Sequence, residues 1–209
     1  MFFSDFQNQI SHFKQRSLGG VTSQLKLAPE IRLRYTEAMI LDRNPREAAV
    51  LALFYPNENN DTTFLLTKRA SYKGTHSAQV SFPGGKPDPI DLNLKSTALR
   101  EANEEIGINH NEITIIRRLS DTYIPPSNFL VAPFIGYCNR KPIFKPNYEV
   151  AEIIEVSVKE LLNESNVIYT PMSTSYMDNV EVPSFKLNGY IVWGATAMIL
   201  SEIKDLIKL

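Results

Sequence analysis

Apolar side chains recur along the chain with two different periods. Five of them near the N-terminus return at roughly the spacing of helix turns: Phe2, Phe3, Phe6, Ile10 and Phe13. This spacing predicts an amphipathic helix over residues 4–16. From about residue 47 the pattern changes to short apolar runs that end at proline, glycine or polar residues, which is typical of strands.

These runs predict a sheet with helices in the middle and at both ends of the chain. The first two strands are separated by a short polar turn, so we expect a hairpin. Because strands outnumber helices and no repeat is visible, the pattern predicts an α/β fold in which helices cover a mixed sheet. The predicted strands are 47–56, 62–70, 76–82, 113–124, 129–138 and 150–158, and the later helices are one that ends before Gly107, 159–165 and 195–209.

Composition then narrows the class of protein. The chain has 209 residues, 43% of them hydrophobic, and a net charge of −1, so we expect one domain with a real core and no basic surface for nucleic acid or anionic membrane. Cys138 is the only cysteine, which excludes an internal disulfide and a multi-cysteine zinc site. The N-terminus does not resemble a signal peptide, and the longest apolar run is too short to span a bilayer. We therefore expect a cytoplasmic protein with no membrane partner.

Residues 99–108 read LREANEEIGI and place three glutamates near the end of a predicted helix: Glu101, Glu104 and Glu105. Negative charges at that end oppose the helix dipole, and like charges three or four residues apart repel, each effect costing a few tenths of a kcal/mol. A solvated acidic face and a divalent-cation site both fit this helix alone. Clustered carboxylates without cysteine or paired histidine would select Mg²⁺ or Mn²⁺ over zinc.

The segment before this helix favours the cation site. Residues 81–88 read SFPGGKPD and end a predicted strand with a proline and two glycines, which lets the backbone approach a ligand closely. A glycine turn alone usually only reverses the chain. A glycine turn that lies about sixteen residues before a helix with three carboxylates is a more specific signal of a ligand site.

Together the two segments resemble the signature of the Nudix hydrolases, G-x5-E-x7-R-E-U-x-E-E-x-G-U, in which U is apolar. Residues 84–108 read GGKPDPIDLNLKSTALREANEEIGI, and the half that begins at Arg100 fits at every position. In the first half Asp91 stands where the signature has glutamate, and one extra residue separates it from Arg100.

That departure is a feature of a subgroup that resembles coenzyme A pyrophosphatases, whose upstream motif is LLTxRSxxLRxHxGxxxFPGGxxD. Residues 65–88 read LLTKRASYKGTHSAQVSFPGGKPD. Because of the mismatches, the motif defines the substrate less well than it defines the reaction. The resemblance covers most of the chain after about residue 25. The chain matches at Leu65, Leu66, Thr67, Arg69, His76, the FPGG and Asp88, and differs at Ala70, Lys73, Gly74 and Ala78.

The resemblance implies an α/β/α sandwich with a mixed sheet, divided into an N-terminal helical extension (1–25) and a Nudix hydrolase domain (26–209). It implies that Mg²⁺ or Mn²⁺ supports hydrolysis of a diphosphate. From coenzyme A or a derivative the products are 3′,5′-ADP and 4′-phosphopantetheine or its acyl form. The alternatives are NADH, ADP-ribose or a damaged nucleotide as substrate, and a nucleotide-binding module without catalysis, which the three glutamates disfavour. A homodimer contact through residues 1–25 is a further alternative.

The resemblance also assigns residues near the metal. Glu101 and Glu105 are the predicted metal ligands, the carbonyl of Gly85 is a further ligand, and Glu104 is a third ligand or a base. Arg100 is predicted to orient a glutamate instead of touching substrate.

The remaining assignments lie outside the signature. Glu149 is the predicted general base, and a solvated surface glutamate is its alternative. Arg69, His76 and Lys86 are predicted to contact phosphate oxygens or the coenzyme, since a guanidinium fork suits phosphate. Their alternatives are a surface charge for Arg69 and a packing histidine for His76. Trp193 is expected to fill the core.

Overall fold

The computed structural model describes residues 1–70, 79–174 and 177–208. The helices are α1 (Phe3–Gln15), α2 (Gly20–Leu25), α3 (Glu30–Leu33), α4 (Glu37–Asp42), α5 (Leu94–Ile106), α6 (Val158–Leu162) and α7 (Gly194–Ile207). The strands are β1 (Arg46–Pro56), β2 (Thr62–Arg69), β3 (Val80–Ser81), β4 (Gly84–Gly85), β5 (Thr114–Arg118), β6 (Thr122–Ile124), β7 (Phe129–Tyr137), β8 (Val150–Ser157), β9 (Val167–Thr174), β10 (Met177–Leu187) and β11 (Tyr190–Trp193).

The main sheet is mixed and runs in the order β3-β2-β1-β7-β5. β1 and β7 are parallel, whereas β2 pairs antiparallel with β1 as the predicted hairpin. The short strand β4 also pairs with β1, where Gly85 lies opposite Ala49 and Gly84 opposite Val50. β8 pairs antiparallel with β2, so that its first residue, Val150, lies opposite Arg69 at the end of β2. The glycine pair of β4 thus lies beside β1, the middle strand of the main sheet.

Side chains of β1 alternate between two cores, as a strand's period of two requires. Phe54 packs with helices α1 and α7 on one face, and Leu53 packs with α5 on the other. On the first face the ring of Phe6 stacks on Phe54 with centroids 5.0 Å apart. Helices therefore cover both faces of the sheet. Within the described residues, no helix is long and apolar enough to cross a bilayer.

Several predicted elements need correction. The run 113–124 is two strands, because the chain leaves β5 at Leu119, whose N–H donates to the carbonyl of Pro133. The helix predicted at 159–165 ends at Leu162, and a 3-10 turn follows. The predicted strand 76–82 falls partly outside the described residues, and its described part forms β3.

Two regions were not predicted at all. Helices α2, α3 and α4 are four to six residues long, too short to show a helical period. A second, antiparallel sheet runs in the order β11-β10-β9. Its hairpin turn is Asn188-Gly189, with φ of 46° and 81°, a dipeptide that is a strong hairpin signal in sequence.

Candidate active site

Helix α5 has well-defined ends. At its start Asn93 accepts a hydrogen bond from the N–H of Ser96 at 3.1 Å, and Ser96 accepts one from the N–H of Asn93 at 2.9 Å. At its end Gly107 has φ 73°, and a Cβ there would lie 2.7 Å from the Cβ of Lys145. The sequence thus ends the helix directly after the glutamates.

The loop that follows β7 caps the same end of α5. The N–H of Lys145 donates to the carbonyl of Ile106 at 2.9 Å, and that of Asn147 donates to the carbonyl of Glu105 at 3.0 Å. These bonds satisfy carbonyls that have no partner within the helix. The side chain of Asn147 then accepts from the N–H of Glu149 at 2.9 Å, so the loop brings Glu149 toward the glutamates.

The glycine pair of β4 lies against two carboxylates of α5. The N–H of Gly84 donates to Oε2 of Glu105 at 3.1 Å. A Cβ on Gly85 would stand 2.5 Å from Oε1 of Glu101, and one on Gly84 would stand 2.2 Å from the carbonyl oxygen of Ala49. Only glycine therefore fits at residue 84, where the backbone is in the way, and a side chain at residue 85 would displace the carboxylate of Glu101.

Burial raises the pKa of Glu105 to about 7, and the charges of Glu101 and Glu149 act in the same direction against the Gly84 N–H. Burial also raises the pKa of Glu101, which Arg100 opposes. Glu101 and Glu105 thus share a region where negative charge is costly.

A divalent cation fits this donor set. Mg²⁺ is commonly held by one or two carboxylates together with water and substrate phosphate, and it does not require a cage made entirely of protein. Glu101, Glu105 and the backbone of Gly85 supply such a partial set, made of hard oxygen donors that do not select zinc. In the described part of the chain, no three His, Cys, Asp or Glu side chains are grouped as a complete cage.

Arg100 links the helix to the turn before it. Its Nε and Nη2 each donate to Asp91 at 3.0 Å, and Nη2 also donates to the carbonyl of Lys86 at 2.9 Å. The hydrogen bond from Arg100 lowers the pKa of Asp91 to about 2. Nη1 lies 3.1 Å from Glu101 and 2.9 Å from Glu104. This is the geometry that the predicted orienting role requires.

Glu104 lies apart from the other two glutamates. Its side chain is 52% exposed and accepts its hydrogen bond from Arg100, whereas that of Glu101 is 17% exposed. In this arrangement Glu101 and Glu105 flank the glycine pair. The role of Glu104 as a third ligand or base stays a prediction.

Two residues predicted for different tasks form an ion pair. Nη2 of Arg69 lies 2.8 Å from Oε2 of Glu149, and both side chains are 34% exposed. β2 and β8 pair so that Arg69 lies opposite Val150, which places the two side chains together. The sequence around each residue does not predict this ion pair, because the pair depends on the register between β2 and β8.

A cavity of about 450 Å³ opens beside the glycine pair. Arg69 and Lys86 line it, and Nζ of Lys86 lies 5.7 Å from the ring centroid of Phe129. Trp193 was expected in the core, but it is only half-buried and lines this cavity. His76 lies outside the described residues. Sequence reasoning also missed the other aromatic and cationic lining residues, Arg32, Tyr123 and Phe129.

Known proteins resemble this chain in sequence and in fold. The model of the NUDIX domain matches residues 45–171, which is more than half of the chain. The chain belongs to the Nudix family. A relative named as the uncharacterized Nudix hydrolase NudL, from Photorhabdus laumondii, is 32% identical over 169 residues, which cover 80% of this chain and 88% of the relative. NudL of Yersinia pestis is 33% identical over 150 residues, which cover 71% of this chain and 74% of the relative.

Solved Nudix structures share the fold. The Nudix hydrolase RenU of M. smegmatis superposes with a TM-score of 0.54 at 17% identity, over 79% of this chain and 89% of that one. A MutT/nudix family protein of Enterococcus faecalis also gives 0.54, at 15% identity, over 96% of this chain and 74% of that one. The predicted Nudix fold, a mixed sheet with helices, is confirmed.

Family membership fixes the coarse chemistry. The chain is a Nudix hydrolase that acts on the acid anhydride of a pyrophosphate-containing substrate. Nudix hydrolases generally use divalent metal ions and act on small-molecule nucleotide derivatives. The prediction of an enzyme in this family is confirmed.

Replacing Gly85 with alanine tests the contact between β4 and the Nudix helix. The new Cβ would displace the carboxylate of Glu101, and misplacement of a positioned group by about 1 Å can cost 100-fold in rate. We expect kcat/KM to fall about 10- to 100-fold with the fold retained, measured by steady-state kinetics and circular dichroism. Gly189→Ala meets no atom within 4 Å but strains a hairpin turn at φ 81° outside the site, so it shows whether a local loss of stability alone lowers kcat/KM. Full activity of Gly85→Ala would refute the contact's importance.

Proposed function

We propose that this Nudix hydrolase cleaves the diphosphate of coenzyme A or a derivative, releasing 3′,5′-ADP and 4′-phosphopantetheine or its acyl form. The observation that carries the proposal is a single cavity that joins the glycine pair to Arg69 and Lys86, both from the upstream motif region. Sequence and geometry thus point to the same residues as the diphosphate site.

The walls of the cavity suit a nucleotide. Tyr123, Phe129 and Trp193 supply aromatic surface, and Arg69 and Lys86 supply positive charge. A cavity of about 450 Å³ is within the usual range for small-molecule sites, which are mostly apolar with a few placed polar groups. We propose that this cavity takes the adenosine half of the substrate.

Mg²⁺ or Mn²⁺ at this site would neutralise the diphosphate and make a bound water more acidic. We propose that the carboxylates of Glu101 and Glu105 and the carbonyl of Gly85 hold this ion, with Glu104 as a third ligand or an alternative base. Occupancy would relieve the repulsion between Glu101 and Glu105, which explains acidic residues at an unfavourable helix end.

The protein's other groups then position substrate and move the proton. Arg69 and Lys86 bind phosphate oxygens, the former with a fork that suits them. A water oxygen forms a bond to one phosphorus while the bridging P–O bond breaks, so that both products leave as phosphate monoesters. The water's proton passes to Glu149, which Arg69 orients at 2.8 Å. Arg100 keeps Glu101 and Glu104 in place.

Product analysis tests the proposal. The purified protein is incubated with coenzyme A, NADH or ADP-ribose, each with Mg²⁺, Mn²⁺ or chelator. We expect 3′,5′-ADP from coenzyme A only when metal is present, and much slower cleavage of the other two. Faster cleavage of NADH or ADP-ribose would keep the metal chemistry and refute the coenzyme A assignment.

Three further properties stay predictions. They are a cytoplasmic location, a homodimer, and a hydrolase domain at residues 26–209. The rings of Phe6 and Phe13 are buried in the main core, so α1 packs on the sheet in this chain. Light scattering of the purified protein checks the homodimer.

A further inference from the structure

A buried arginine lies in the wall of the cavity and pairs with no carboxylate of the described residues. Arg32 is 5% exposed and lines the same cavity as Arg69 and Gly85. Its Nη1 donates to the carbonyl of Tyr35 at 3.0 Å, and its Nε is buried with no hydrogen-bond partner in the described part of the chain. Among the residues that the structure describes, no carboxylate forms an ion pair with it.

Aromatic packing fixes this guanidinium in place. The Cζ of Arg32 lies 5.9 Å from the ring centroid of Tyr123. Tyr123 packs edge-on against Tyr35 at 5.4 Å, and its hydroxyl donates to Asn128 at 2.9 Å. The arginine therefore sits in a rigid aromatic setting that exists before any ligand enters.

Such an arrangement favours an anion. A guanidinium stays charged, and burial here leaves its Nε–H with no acceptor among the described residues. Burial lowers the pKa of Arg32, which shows the direction of this penalty. A phosphate that entered the cavity would accept from the fork and offset the cost of burial.

We propose that Arg32 binds a phosphomonoester on the ribose of the substrate, at a subsite of the cavity separate from the diphosphate. The inference rests on the proposed function, because coenzyme A carries such a phosphate at its 3′ position. It supplies a physical basis for discrimination, since ADP-ribose and NADH have no ribose phosphomonoester. Nucleotides with a 2′-phosphate share this chemistry and are the second source of the same group.

Direct binding tests the subsite without turnover. Isothermal titration measures the affinity of 5′-AMP, 3′,5′-ADP and 2′,5′-ADP for the wild type, Arg32→Gln and Arg32→Lys. We expect the wild type to bind 3′,5′-ADP about 10- to 100-fold more tightly than 5′-AMP. Arg32→Gln should bring the two affinities close together, and Arg32→Lys, which keeps the charge without the fork, should fall between.

Steady-state kinetics tests whether the subsite contributes to the reaction. The ratio of kcat/KM for coenzyme A to that for dephospho-coenzyme A should be about 10 to 100 in the wild type and near one in Arg32→Gln. Arg43→Gln is the matched control, because Arg43 is exposed, does not line the cavity, and packs on the ring of Tyr35 with its Cζ 5.3 Å from the centroid. It should keep the wild-type ratio.

The outcomes separate the two proposals. Equal weakening of 5′-AMP and 3′,5′-ADP by Arg32→Gln, or no weakening of either, would overturn the subsite and show that Arg32 only closes the turn at Tyr35. A preference for 2′,5′-ADP that is lost in Arg32→Gln would support the subsite but contradict coenzyme A as the substrate.

Discussion

Glu105→Gln is expected to reduce kcat/KM at least about 100-fold and, at the same time, to stabilise the protein without metal at pH 8. Glu105 is 8% exposed, and amide substitution removes a negative charge from the proposed metal site while its oxygen can still accept from Gly84 at the present 3.1 Å. Removal of one electrostatic stabiliser of a transition state commonly costs 100- to 1000-fold in rate, or about 3 to 4 kcal/mol.

The stability effect depends on pH in a defined direction. Because burial raises the pKa of Glu105 from 4.5 to about 7, the folded protein holds this proton more tightly than the unfolded chain does. The resulting stabilisation is complete below pH 4.5 and is lost as the pH rises through 7. At pH 8 the ionised carboxylate should cost about 3 kcal/mol, which Glu105→Gln avoids.

Thermal unfolding in chelator at pH 5 and pH 8, with kinetics in excess Mg²⁺, checks both parts. The midpoint of Glu105→Gln should exceed that of the wild type at pH 8 and approach it at pH 5. Glu104→Gln is the matched control for stability, because Glu104 lies on the same helix end but is 52% exposed. Retained turnover in Glu105→Gln, or destabilisation at pH 8, would contradict the account.

Asp91→Asn should have the next largest effect. The Asp91 side chain is 4% exposed and receives two hydrogen bonds of 3.0 Å from Arg100. Loss of one partner of a buried, charge-assisted pair leaves the other poorly compensated, so we expect a loss of about 2 to 3 kcal/mol in the free energy of unfolding. Arg100 would then reorient toward Glu101 and Glu104, and kcat/KM should fall about 10- to 100-fold.

Denaturant unfolding between pH 2 and pH 8 measures this contribution. The pKa of Asp91 is lowered to about 2, so its stabilisation is present above pH 3.8 and disappears as the pH falls through 2. The difference between wild type and Asp91→Asn should therefore be constant from pH 5 to pH 8 and shrink at acid pH. Asp91→Glu, which keeps the charge and restores the residue type of the family signature, should lose less. Wild-type stability and activity in Asp91→Asn would refute the anchoring role.

Local signals predicted the elements that build the centre of the site. Three signals each act within a few residues: the apolar runs of β1 and β2, the Gly-Gly turn, and the helix stop at Gly107. The hairpin and α5 could therefore be found without a structure. The Asn188-Gly189 turn was an equally local signal that was overlooked.

The rest depends on contacts that sequence spacing does not encode. Arg69 and Glu149 lie 80 residues apart and meet because β2 pairs with β8 in one register. Arg32 belongs to a four-residue helix, and only the packing of Tyr123 shows that it is buried in a cavity wall. Register and long-range packing therefore limited the prediction of the proposed substrate contacts more than that of the proposed metal ligands.

The central claim is that Glu101, Glu105 and Gly85 hold a divalent cation at the end of α5. Electron paramagnetic resonance of Mn²⁺ titrated into the wild type, Glu101→Gln and Glu105→Gln, each with and without 3′,5′-ADP, tests it most directly. The account predicts bound Mn²⁺ in the wild type and at least about 10-fold weaker binding in both variants. Binding of Mn²⁺ by both variants as tightly as by the wild type would contradict it.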